Sequence, residues 1–440
     1  MVKVNADTIV IDRQGSKDVT GIIDQAINGS NGKAGDIEVT ATGTIWVQNG
    51  GIISSSTFSS GDAGSVKVNA GTIVIDGQGQ RSNDVTGITD QANAGTGKAG
   101  NIEVTATGTL SVQNGGVISS STFSSGDAGT VNVSAATLLV DGDSTSIKAK
   151  ASSGSFGQTG NVIVLATDQM MISNGGSVSI QNDATATNAA NLTPTLLTVT
   201  APTITLKDAT ITSASTGNVS ASNIQVIATE RLSIDPSSIT TSANLGNGGA
   251  ITIQGGKVMT LDNSQITTSV KGLAGDGGDI TISANTLFMN TGFIQANTAA
   301  TNAAGGRVGM DVQMLVPSGS SLFVGGQTPY TFQPGVFGFN VIQAAAPTGI
   351  SGTIQMTSPA LNISGSLNGL NTQVMDTGGL GRSPCQITGG SSLAQSGRGG
   401  LAPSALGLLR TEPGFVPVKS GASSTGMVDQ PLALNLWSCN

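Results

Sequence analysis

The sequence predicts an all-β protein, a right-handed parallel β-helix (solenoid) of about eleven rungs followed by an irregular C-terminal cap and tail. Three observations lead there. A repeat returns every 27 to 36 residues, short runs alternate apolar and polar with period 2, and the composition is rich in Gly but poor in aromatic and charged side chains.

The repeat is clearest at an offset of 65 residues, where Asp36 to Gly64 (DIEVTATGTIWVQNGGIISSSTFSSGDAG) is nearly identical to Asn101 to Gly129 (NIEVTATGTLSVQNGGVISSSTFSSGDAG). Within it lies a shorter unit that begins at Ile37, Val66, Ile102, Val131, Val162, Leu197, Ile224, Ile251, Ile280 and Val308. Each unit reads apolar-x-apolar-x-Ala, a short polar step, apolar-x-apolar, an Asn/Asp turn, then apolar-x-Ser/Thr/Ala and a loop rich in Gly, Ala and Asn. Ile224, Val226, Ala228, Leu232, Ile234, Asp235, Ile239 and Thr241 show it in one copy.

Alternation over three to five residues predicts strands with one buried face, and Asn49-Gly50-Gly51, Asn114-Gly115-Gly116, Asn174-Gly175-Gly176 and Asp262-Asn263 predict the turn between the second and third strands. Three such strands cannot enclose a core, so the unit is stable only when stacked on its own copies with equivalent strands parallel. Ile102, Val104, Leu110, Val112 and Ile118 then point inward, each contributing roughly 1.5–3 kcal/mol by burial. At about 4.8 Å per strand the rungs from Val2 to Val316 make a rod on the order of 50 Å long, and the crossover rule makes it right-handed.

The pattern divides the chain into β-helix repeats over 1–316, an aromatic-containing insertion and final rung over 317–375, and a tail over 376–440. In the insertion Phe323, Tyr330, Phe332, Phe337 and Phe339 fall among Gly and Pro, and a lid over the side or end of the helix is favoured over a sugar-stacking site. In the tail, Cys385 and Cys439 stand alone in an otherwise thiol-free chain and suggest one disulfide closing a loop of about 55 residues, worth roughly 4 kcal/mol in the loop-entropy model. Such a bond implies an oxidising compartment. Two rungs carry longer polar loops, at 12–20 and 76–86, read as solvated surface rather than as binding loops.

Composition narrows function. With no His, the chain has no imidazole for general acid/base work, nucleophile activation or metal ligation. Eighteen Lys and Arg without clustering, against 26 Asp and Glu, make nucleic acid a poor partner. No apolar run is long enough for a transmembrane helix. The start, Met1-Val2-Lys3-Val4-Asn5-Ala6-Asp7, lacks the basic-then-apolar pattern of a signal peptide.

Because enzymes also use parallel β-helices, a polysaccharide-binding or polysaccharide-degrading protein is the alternative to a structural rod. Its carboxylates would have to converge on one face, whereas Asp76, Asp141, Asp143, Asp208, Asp235 and Asp262 occupy turn positions. Calcium at Asp141-Gly142-Asp143 or Asp276-Gly277-Gly278-Asp279 lacks a recurring ligand pattern. No catalytic residue, cofactor site or metal site is therefore assigned.

The rungs quoted above, with VTGITDQANAGTGKAGNIEV, SGTIQMTSPALNISGSL and PCQITGGSSLAQSGRGGLAPS, resemble the filamentous haemagglutinin-like exoproteins of Gram-negative bacteria, including cyanobacteria, which use two-partner secretion. The resemblance covers essentially the whole chain, and the tail is its more specific part. It implies a right-handed parallel β-helix without catalytic residues. It also implies an extracellular or outer-membrane surface location and an adhesin role in aggregation or contact with other cells, through glycans or proteins of a host or neighbouring cell surface.

The family begins with a signal peptide and a secretion domain recognised by an outer-membrane partner barrel, and such a barrel is expected here only if a secretion domain lies upstream. Val2 to Ile11 (VKVNADTIVI) matches Val66 to Ile75 (VKVNAGTIVI), so the chain starts on a rung and reads as the C-terminal part of a longer protein. Self-association through that N-terminal end is a further expectation.

Overall fold

The computed structural model describes residues 1–357 except 15–17, 78–84, 302 and 320, all within the compact unit Met1–Gly369. Cys385 and Cys439, with the rest of the tail, lie outside the described residues.

The described residues form a parallel β-solenoid in which 26 strands join one continuous sheet wrapped into three faces. The first face shows the stacking most simply. Val2 pairs with Ile37, then Val66, Ile102, Val131, Val162, Leu197, Ile224, Ile251, Ile280 and Val308, always in parallel register. These pairings define ten turns, and one more turn carries Val308 to Ile354. Among the described residues the only helix is a single 3-10 turn, Ala189–Asn191.

Alternation dictates which side chains enter the core. Ile37, Val39, Ile102, Val104, Ile251, Ile253, Ile280 and Ile282 are all buried, and each stacks on its equivalent one rung away. In several rungs the first and second strands run together, as in Ile102–Gln113, with a register shift between Ala106 and Thr109 where the chain changes face. The corner between second and third faces is tighter. Asn49, Asn114 and Asn174 adopt φ of 52°, 53° and 51° there, a left-handed conformation that Asn tolerates better than most residues.

The loops closing each turn stack as closely as the strands. A Cβ on Gly64, Gly100, Gly129 or Gly160 would lie 2.0 to 2.3 Å from the carbonyl oxygen of the equivalent Gly one rung below. Gly61, Gly97, Gly126 and Gly157 form a second such column, three residues earlier, with contacts of 2.0 to 2.1 Å. Much of the Gly content therefore serves close approach of loop to loop, beyond the turns that composition alone suggests.

Candidate contact surfaces

Outward side chains repeat in columns because the rungs are in register. On the second face one column runs Val10, Trp46, Val74, Ser111, Leu139, Met171, Thr205, Ser233, Thr260, Phe288 and Val316. It is mainly apolar over its first six rungs, hydroxylic over the next three, and apolar again at the end. Val10 and Trp46 are exposed by 60% and 39%, so this stripe meets solvent. Thr44, Thr72, Thr109 and Thr137 border it on one side, and Asp12, Gln48, Asp76, Gln113 and Asp141 on the other.

The turn carboxylates in that border are engaged by the rung above. Gln48 and Asn49 donate to Asp12 at 2.8 and 3.1 Å, and Gln113 and Asn114 donate to Asp76 at 2.9 and 3.0 Å. Ser173 and Asn174 likewise donate to Asp141 at 2.6 and 2.7 Å. The bonds from Gln48 and Asn49 hold the Asp12 carboxyl below its ordinary value, because they favour the charged form.

A second set of Asx side chains, which the sequence pattern did not single out, precedes the first-face strands. Asp36 accepts from the Ser65 backbone N–H at 2.7 Å, Asn101 from Thr130 at 2.8 Å, Asn161 from Leu196 at 2.8 Å and Asp279 from Arg307 at 2.7 Å. These bonds staple one rung to the next. Their signal was in the sequence as Gly-Asp or Gly-Asn immediately before apolar-x-apolar. The backbone bond from Ser65 depresses the Asp36 carboxyl, as the one from Lys98 does for Asp62.

On the first face the outward charges alternate along the stack, with Lys3 to Glu38 and Lys67 to Glu103 both at 3.0 Å. Exposed pairs of this kind are worth about 0–1 kcal/mol and leave no single-sign field.

Among the described residues one charged side chain is fully buried. Asp90 on the third face is buried, and its register partners are Ser55 and Ser120. Ser55 and Ser120 accept from Gly64 and Gly129 N–H at 2.9 and 2.8 Å and donate to the carbonyls of Gly35 and Gly100 at 3.4 and 3.1 Å. Asp90 Oδ1 accepts from Gly100 N–H at 2.7 Å, but Oδ2 has no hydrogen-bond partner. Burial, with the Asp36 charge adding to it, pushes the Asp90 carboxyl well above its ordinary range.

The turn between Val308 and Ile354 differs from all earlier ones. Its chain folds back over the corner at Asn263 and Thr291, where Gly335 N–H donates to Asn263 Oδ1 at 2.8 Å and Thr291 Oγ1 to the Val336 carbonyl at 2.5 Å. Gln295 Nε2 donates to the Tyr330 carbonyl at 2.8 Å. Four of its five aromatics pack together with the fully buried Phe293. Phe332 and Phe339 contact Phe293 at centroid distances of 5.2 and 5.6 Å, and Phe323 and Tyr330 join through Phe339. Edge and tilted geometries of this kind suit aromatic quadrupoles.

Phe337 is outside that cluster and 76% exposed. With Phe288, Val316 and Pro317 it walls a cavity of about 430 Å³, whose polar edge is Asp262, Asn290 and Ser318. The edge is pre-arranged, since Asn290 donates to Asp262 at 2.8 Å and accepts from Ser318 at 2.7 Å. Asp235 stands one rung from Asp262, because Ile234 pairs with Leu261. Desolvation, and then the Asp262 charge, raise the Asp235 carboxyl.

The polar loops at 12–20 and 76–86 are described only at their flanks, where Asp12 and Asp76 serve as the corner acceptors noted above. Of the two calcium candidates, Asp276 and Asp279 accept from the Ala304 and Arg307 backbone N–H groups. No group of three or more acidic, His or Cys side chains placed to hold a metal occurs among the described residues. Nor is any helix among them long and apolar enough to cross a membrane. Compared with known proteins, the chain matches no family model, no curated protein and no solved structure.

Proposed function

We propose that the protein is a non-enzymatic adhesin-type exoprotein, displayed at the outer cell surface or secreted, whose rigid solenoid presents repeated outward columns for adhesion, aggregation or cell contact. The observation that carries this reading is the second-face stripe, in which outward apolar side chains recur over the first six rungs, interrupted at the buried Ser111, between hydroxyl and carboxylate borders. A repetitive stripe suits many weak contacts made at once, with glycans or proteins of a neighbouring or host cell as partners. The aspartates at the corners and before the first face are engaged in joining rungs, which favours a structural use over a convergent acid/base pair.

Beads coated with the protein should bind bacterial or host cells, and replacing Trp46, Leu139 and Met171 together by Ser should remove most of that binding. Adhesion no greater than that of albumin-coated beads would overturn the reading. So would turnover of pectin or alginate that a single Asp→Asn change abolishes.

Self-association belongs to the same proposal. Among the described residues, Val2–Ala6 pairs with Ile37–Ala41, and a strand paired along one edge can template pairing with another copy of the chain. Light scattering at tens of micromolar should show assemblies, and a polar cap fused before Val2 should disperse them.

A further inference from the structure

We infer that the cavity between Phe288 and Phe337 is a binding site for a neutral sugar ring. Four of the five aromatics of the last turn pack on one another, although Phe323 and Tyr330 keep part of their rings in solvent, and Phe337, the most exposed of the five, stands outside that cluster. The backbone that carries it is anchored nonetheless, because Gly335 and Val336 just before it are tied to Asn263 and Thr291, and Phe339 just after it is part of the ring cluster. An aromatic ring with only two side-chain torsions on an anchored backbone loses little entropy when it is covered. The cavity, at about 430 Å³, falls in the range of small-molecule sites.

The lining selects the ligand class. Phe288 and Phe337 offer apolar faces for the C–H side of a pyranose, and Asp262 with the Asn290 and Ser318 pair offers a fixed hydrogen-bonding edge for its hydroxyls. A wholly apolar guest would desolvate the Asp262 carboxylate without pairing it. An acidic sugar would meet both Asp262 and, one rung away, Asp235. A ring with hydroxyls and no carboxylate satisfies both constraints.

The site shares Phe288 and Val316 with the end of the second-face column, yet its test is separable from the proposed cell-surface role, since a soluble sugar can bind whether or not the rod adheres to cells. The test is a ligand-observed NMR titration of the full chain with cello-hexaose, fully N-acetylated chito-hexaose, hexagalacturonate and choline. Saturable binding of at least one of the two neutral hexamers is expected, with hexagalacturonate at least tenfold weaker. Phe337→Ala and Phe288→Ala should each weaken the neutral ligand at least tenfold, while Phe337→Tyr retains it. Circular dichroism on each variant confirms that the solenoid is intact. Binding of neither neutral hexamer, equal binding of the acidic one, binding of choline alone, or affinity indifferent to Phe337→Ala would each overturn the inference.

Discussion

The turns from Val2 to Gly129 and the turn from Val308 to Ile354 use the same first-face register but keep their structure by different means. In the early turns the strand positions have equivalents one rung away, and stability is spread over aliphatic stacks, Gly columns and Asx staples. In the last turn Ile354 follows Val308 at an offset of 46, stacking equivalents are few, and the order is concentrated in one ring cluster and in side-chain ties to the corner and third face, among them those at Thr291, Gln295, Asn263 and Asn340. A solenoid can thus carry a non-repeating element wherever local packing replaces the missing neighbours. Damage should stay local there, whereas in the early turns it should pass to the rungs on either side.

The largest expected effect breaks the last turn. Phe293→Ala empties the centre of the ring cluster and should cost about 3–5 kcal/mol. Hydrogen exchange should rise across 321–343 while the first-face strands up to Ile224 stay protected. Next comes Gly100→Ala, whose new methyl would sit 2.0 Å from the Gly64 carbonyl oxygen and 2.6 Å from Asp90 Oδ2. Neither neighbour is a flexible side-chain end free to withdraw, so a loss of about 1–3 kcal/mol or more is expected in chemical denaturation. The matched change in the last turn, Gly335→Ala, meets no atom within 4 Å and should cost only its backbone strain at φ 80°, about 1 kcal/mol.

A further effect, of opposite sign, concerns Asp90, which alternates with serines in the third-face column Asp24, Ser55, Asp90 and Ser120. Its folded-state value is raised, so the stability linked to its neutral form is fully present below the ordinary value of 3.8 and is lost as pH rises through the raised one. Asp90→Ser should therefore stabilise the early turns by about 1–3 kcal/mol at pH 7, because it supplies both partners that Ser55 and Ser120 show, and should flatten the pH dependence above pH 4. Thermal melts across pH 3.5 to 8 would check it. The smallest effect is Phe337→Ala, expected within about 0.5 kcal/mol of the parent in the same melts, since the ring is mostly exposed.

Much of the early region was legible because its information is periodic. Ile37, Val39, Ile102 and Val104 declare their face by alternation, and the offset of 65 residues aligns them without any structure. Asn49 and Asn114 declared the corner for the same reason. The Asx staples were present as Gly-Asp and Gly-Asn steps, yet their partners are backbone N–H groups some 30 residues on, which no local pattern shows. Asp90 reads as one more polar residue in TGITDQA, and only the register with Ser55 and Ser120 gives it significance. The last turn resisted because packing of Phe293 against Phe332 and Phe339 follows no period, so nothing in the sequence separates Phe337 from its four neighbours.

The duplication of 65 residues has a consequence for how the gene can change. Val2 to Ala6 and Val66 to Ala70 have the same sequence, VKVNA, and the second already stacks on Ile102 to Ala106. Excising residues 37–101 would bring Val2 opposite Ile102 through an interface the protein already contains, with Lys3 meeting Glu103 as Lys67 now does. Unequal crossing-over between the two copies would therefore lengthen or shorten the rod in whole steps of two rungs, about 10 Å each, without creating a mismatched junction. Reach becomes a heritable quantity that can vary between lineages while the first-face register between rungs is kept.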